Sequence, residues 1–121
     1  MNAYQVIGST HKVTATSTSS QINITPQETL GLGGVVGPKF LKITNGSADQ
    51  NVYFATGLTS QTAIIPTGDG ANVGSCCIPA YGEVIVQVAA DSVNPPATIY
   101  VACIASASTP VYITPVVLAG F

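Results

Sequence analysis

At 121 residues and 12.2 kDa the chain has the length of a single domain, and only 7% of it is charged, against about 25% in an ordinary domain. Three cations and a net charge of −2 exclude the basic patch that nucleic-acid phosphates require. A hydrophobic content of 46% excludes disorder, and no apolar run reaches the roughly 18–20 residues that a membrane-crossing helix needs.

Val, Ile and Thr account for 39 of the 121 residues. These β-branched side chains lose rotamer freedom in helices and pack well on a pleated surface. Taken in order, Tyr4–Ile7 is the first predicted strand, ended by Gly8. Lys12–Thr16 and Gln21–Thr25 alternate apolar and polar residues around the polar connection Ser17–Ser20, and Pro26 stops the second arm. Residues 27–38, rich in glycine, read as a long irregular loop. Lys39–Asn45 alternates Leu41 and Ile43 against Lys42 and Thr44, with Asn45-Gly46-Ser47 turning the chain through residues that accept positive φ. Asn51–Thr56 returns, Thr62–Ile65 is a short strand closed by Pro66, and Val73–Ile78 is closed by Pro79 and Gly82. Glu83–Val88, Thr98–Ile104 and Val111–Thr114 complete the set, with Pro115 ending the last strand.

Short strands at roughly ten-residue intervals mark a sandwich or barrel. The expected fold is all-β, a sandwich or barrel of eight to ten short strands, as one domain over residues 1–121. An N-terminal arm of about residues 1–10 and an apolar tail, 116–121, flank it. Strands 52–55 and 99–104 are apolar on both faces. Either they are central and covered on both sides, or an outer face meets another subunit.

Little in the chain suits catalysis. The one histidine, His11, lies among hydroxyl residues with no nucleophile pattern beside it, and the five acids show no pairing. Gly31-Leu32-Gly33-Gly34 lacks the following helix that a phosphate cradle needs. Cys76 and Cys77 are adjacent, so on a strand they point to opposite faces and do not bond each other. Free thiols are expected, with a bridge from either to Cys103 as the alternative. No catalytic, cofactor-binding or metal-binding residue is therefore expected, and the protein reads as a non-enzyme.

A low charge density does not by itself keep molecules apart. The expectation is that neighbouring molecules cover much of the surface. The apolar termini are the candidate partner-binding residues: Tyr4, Val6 and Ile7 on the arm, and Val116, Val117, Leu118 and Phe121 on the tail. The tail either folds back as a last strand on its own sandwich or docks in a groove of a neighbour. The start, Met1-Asn2-Ala3-Tyr4-Gln5, has no basic or apolar signal-peptide character, which points to reducing, cytosol-like surroundings during synthesis.

Several stretches carry a resemblance. They are Phe40-Leu41-Lys42-Ile43-Thr44-Asn45-Gly46, Val52-Tyr53-Phe54-Ala55-Thr56-Gly57, Ile78-Pro79-Ala80-Tyr81-Gly82-Glu83-Val84, Ile99-Tyr100-Val101-Ala102-Cys103-Ile104-Ala105 and Pro110-Val111-Tyr112-Ile113-Thr114-Pro115. In these the chain resembles small structural proteins of tailed-bacteriophage virions, above all jelly-roll capsid decoration, or cement, proteins. Many such sequences finish with a Gly-rich end after the last Thr-Pro, where this one has Val-Val-Leu-Ala-Gly-Phe. The resemblance implies a jelly-roll-like antiparallel β-sandwich and a homo-oligomer, dimer or trimer, on the capsid exterior, assembled in the host cytoplasm. Its partner would be the major capsid protein, whose subunits it would bridge. A tail, neck or fibre component of the virion is the neighbouring possibility. A carbohydrate-binding sandwich is another, with Tyr4, Tyr53, Tyr81, Tyr100 and Tyr112 as candidate aromatics.

Overall fold

The computed structural model describes residues 3–6, 9–24, 39–67, 75–89 and 98–119. Among them are strands β1 (Ala3–Val6), β2 (His11–Ala15), β3 (Ser20–Ile24), β4 (Lys39–Asn45), β5 (Val52–Gly57), β6 (Cys76–Ile78), β7 (Glu83–Ala89), β8 (Ile99–Ala105) and β9 (Thr109–Ala119), and no helix. They form an all-β sandwich of two antiparallel sheets. The first runs β1-β9-β4-β7, with β2 also paired to β9, and the second runs β3-β8-β5-β6.

The pairings nest. β5 pairs with β6, β4 with β7, β3 with β8 and β2 with β9, in alternating sheets, as if one long antiparallel ribbon had been rolled over itself. Period-two patterning supplies the core. Leu41 and Ile43 on β4, Val111 and Ile113 on β9, and Ile99, Val101 and Cys103 on β8 are fully buried, joined by Val13, Ile24, Val52, Phe54 and Ile78 from both sheets. The surface totals 6538 Å², somewhat above the roughly 6,000 Å² expected from mass.

The predicted strands hold with three corrections. First, Pro115 does not end β9, which continues to Ala119. Val6 lies opposite Val116, but His11 lies opposite Ile113. The register of β1 on β9 therefore differs by two residues from that of β2 on β9. The Pro110 carbonyl accepts from Gly46 N–H at 2.9 Å, beyond the end of β4. Alternation along β9 then directs the N of Pro115 to the opposite edge, where the register changes between β1 and β2, so the β4 ladder loses no bond.

Second, Thr62–Ile65 is not a strand. Its donors go to side chains instead: Ala63 N–H to Ser19 Oγ at 2.9 Å and Ile64 N–H to Ser75 Oγ at 3.1 Å. Third, Asn45 does not take positive φ; Tyr81 is the one non-glycine residue that does among those described. Asn45 is the last residue of β4, 1% exposed, and its Oδ1 accepts from Ser47 N–H at 2.9 Å. The predicted loop 27–38, the start of the predicted strand at Val73, and Ile7 and Phe121 lie outside the described residues.

Candidate functional site

The chemistry-bearing side chains are dispersed. Among the described residues no three His, Cys, Asp or Glu side chains are grouped to hold a metal ion, and no cavity opens. Cys76 and Cys77 are exposed, while Cys103 is buried, and all three are free thiols. Cys103 lies opposite Phe54, which lies opposite Cys76. Two strand spacings, about 10 Å, separate the outer pair, beyond the span a disulfide tolerates. That settles the alternative left open by the sequence. Burial desolvates the Cys103 thiolate and pushes its pKa up to about 12.

The outer faces of the two sheets differ. β3 and β6 are the edges of the second sheet, and the segment after β5 is tied to both. Gln61 N–H and Ser60 Oγ donate to Gln21 Oε1 on β3, and Ser75, next to β6, exchanges two hydrogen bonds with Ile64. The segment must therefore cross the outward positions of β8 and β5. This accounts for Ala102, which alternates outward yet is 0% exposed, and for Ala63 at 2%. The apolar outer faces of these two central strands are thus partly covered by their own chain, with Ala102 buried and Tyr53, Ala55, Tyr100 and Ile104 half-buried.

On the first sheet, Lys12 and Thr14 are exposed and Tyr112 is 39% exposed. Lys12, Tyr112, Thr44 and Glu83 form one row across β2, β9, β4 and β7. Beside it Thr10 Oγ1 and Thr114 Oγ1 share a 2.7 Å hydrogen bond, and Lys42 meets Glu83 at 3.5 Å. Both members of that ion pair are about half exposed, so it adds little stability. This face is rich in hydroxyls and nearly without net charge.

The connections 16–19, 46–51, 79–82 and 106–108 meet at one end of the sandwich. Thr16 O accepts from Ala105 N–H, Pro110 O from Gly46 N–H and Ser47 O from Tyr81 N–H, each at 2.9 Å. The Asn45 amide donates to Gln50 O at 2.7 Å and to Ile78 O and Pro79 O at 3.1 Å each, and Asn45 N–H donates to Gly82 O at 2.9 Å. Gly82 N–H closes a turn on Pro79 O at 2.8 Å, and Tyr81, third in that turn, has φ 58°. A Cβ at Gly82 would lie 2.9 Å from Pro79 O, so the turn admits only glycine there. Tyr81 is 74% exposed. A bulky residue in the left-handed region costs about 1–2 kcal/mol relative to glycine.

Those predicted partner-binding residues that are described fall on β1 and β9, at one side of the first sheet. Tyr4 is opposite Leu118, Val6 is opposite Val116, and Gln5 is opposite Val117. Lys39 and Phe40 of β4 flank Val117 and Val116 on the other side, and Val116 is 2% exposed. Arm and tail are thus brought together, as neighbouring strands. The tyrosine-bearing end was not singled out from sequence. Its signal was a bulky residue before Gly82 in Pro79-Ala80-Tyr81-Gly82, at a place where glycine or asparagine is the easier choice.

No protein family matches the chain, and neither a curated protein nor a solved structure matches it.

Proposed function

We propose that the protein is a non-enzymatic structural component of a tailed-phage virion, a decoration protein that binds the capsid exterior and bridges major capsid protein subunits. In this reading it acts as a dimer or trimer. The observation that carries it is the contrast between the two outer faces. One is partly capped by the chain's own segment 58–67, while the other leaves Tyr112, Thr14 and Lys12 exposed on a four-strand surface. Eight charged residues share 6538 Å² of surface, and contact with several neighbours on a lattice would multiply weak contacts into stable attachment. The nested strand order supports the jelly-roll form of the sandwich.

The test is co-sedimentation of the purified protein with emptied, expanded phage capsids, followed by electron cryomicroscopy of the pellet. Density at fixed lattice positions, with the β2-β9-β4-β7 face against the shell, is the expected result. Thr44→Glu together with Thr114→Glu should abolish it while leaving the circular dichroism spectrum unchanged. A protein that stays monomeric and never co-sediments overturns the proposal.

A further inference from the structure

The geometry points to a second site: we infer that the short-turn end binds a neutral saccharide, with the ring of Tyr81 as its stacking platform. Tyr81 is the most exposed of the large apolar side chains described, at 74%, and its backbone is held in a conformation that glycine would adopt more easily. Strain of this kind persists where surrounding structure over-determines it. Here the surroundings are the Ser47 carbonyl, which accepts from Tyr81 N–H, and the Asn45 amide, which holds the carbonyls on either side of the turn's start. The ring is therefore presented by a rigid backbone, which lowers the ordering cost of binding a weak ligand.

The neighbours select the ligand class. A protein hot spot sits within a ring of apolar contacts that exclude water. Around Tyr81 the adjoining turns offer Ser47, Asp49 and Gln50 instead, all hydrogen-bonding groups, with Asp49 the one charge on the 46–51 turn. Asp49 Oδ1 accepts from Ser47 Oγ at 3.0 Å, which orients the carboxylate. Ser17, Thr18, Ser106 and Ser108, on the other turns of the same end, are exposed. Exposed aromatic surface beside a carboxylate and hydroxyls matches a pyranose, which has one apolar face and a rim of hydroxyls. The shortage of cations disfavours sulfated or acidic sugars. Tyr112, whose ring lies on Gly46 so closely that a Cβ there would meet it at 2.9 Å, is a second aromatic surface on the same turn.

The site is tested on the full chain by following backbone amide resonances during titration with methyl glucoside, methyl galactoside, methyl mannoside and chitotriose, each carried to tens of millimolar. The expected result is saturable, fast-exchange shifts at residues 45–50 and 79–83 with at least one of them. Tyr81→Gly, which relieves the strained backbone, should weaken that binding roughly tenfold, while Tyr81→Phe and Tyr81→Trp retain it. No saturable shift with any of the four, shifts mapping elsewhere, or equal affinity in Tyr81→Gly overturns the inference. So does loss of capsid binding in Tyr81→Gly without any sugar response, which would make the ring a protein anchor. Because the readout uses no capsid, failure here is separate from failure of the decoration role.

Discussion

The buried side-chain amide of Asn45 donates to the Pro79 carbonyl at 3.1 Å, so the end of β4 fastens the turn on which Tyr81 stands. The same amide reaches Ile78 O and Gln50 O, and its two hydrogens are shared among the three acceptors. Removing it leaves carbonyls without this donor, that of Ile78 in a buried position. Asn45→Ala should destabilise the protein by about 2–4 kcal/mol, read as a lower urea midpoint with an unchanged m-value. Asn45→Asp keeps the shape but loses the donor, and should cost at least as much at neutral pH. A change under about 0.5 kcal/mol in both variants would remove Asn45 from this role.

Tyr81→Gly should move stability the other way. The substitution relieves a left-handed backbone with φ 58° and sacrifices little packing, because the ring is mostly in water. Relief of about 1–2 kcal/mol is offset in part by the greater freedom of glycine in the unfolded chain. A net gain of about 0.5–1 kcal/mol is expected, seen as a raised melting temperature. Tyr81→Val, which is β-branched, should be destabilising at the same position. If glycine and valine both lower the melting temperature, the strain is not relieved at this residue.

The fold was legible where alternation is strict. Leu41 and Ile43, and Val111 and Ile113, face inward as their spacing predicts. The doubly apolar strands 52–55 and 99–104 read either as central and covered on both sides or as presenting an outer face to another subunit, and they are central in the second sheet, with the segment after β5 tied across their outer side. Which chain segment does the capping was hidden, because Gln61, Ala63 and Ile64 are held through Gln21, Ser19 and Ser75 side chains and show no periodicity. Pro115 misled for a related reason. Sequence shows that a donor is missing, but only the pairing shows which edge it would have faced. Asn45 looked like a turn former because asparagine tolerates positive φ, whereas its buried amide serves three carbonyls brought together by long-range contacts.

The thiols give a chemical check on the sandwich. Cys76 and Cys77 are exposed, so an aromatic disulfide reagent at pH 8 should titrate these two in the native protein and the third only in denaturant. Cys103 also couples stability to pH. Its pKa is raised from 9.0 to about 12 in the folded state, so the folded protein keeps a proton that the unfolded chain loses above pH 9. The contribution is complete below pH 9 and declines as pH rises toward 12, by about 1.4 kcal/mol per unit. Comparing urea midpoints at pH 8 and pH 10.5 for the wild type and Cys103→Ala isolates it. The alanine variant starts less stable but should lose less over the interval. Equal losses would show that other groups carry the alkaline sensitivity.

Pro115 and Val116 offer a positional test of β9 that a count of residues could not supply. The N of Pro115 points away from β4, where the register changes between β1 and β2, so Pro115→Ala adds an N–H that the β4 ladder does not require. That change should stay within about 0.5 kcal/mol. One residue on, Val116 alternates toward β4, where it lies opposite Phe40, and its side chain is 2% exposed. Val116→Pro removes a donor from a strand paired on both sides and should cost about 3 kcal/mol or more. Val116→Ala controls for the lost side chain, since it keeps the N–H. If the proline variant at 116 is no less stable than the alanine one, β9 is not continuous past Pro115, and the tail is free to seek another partner.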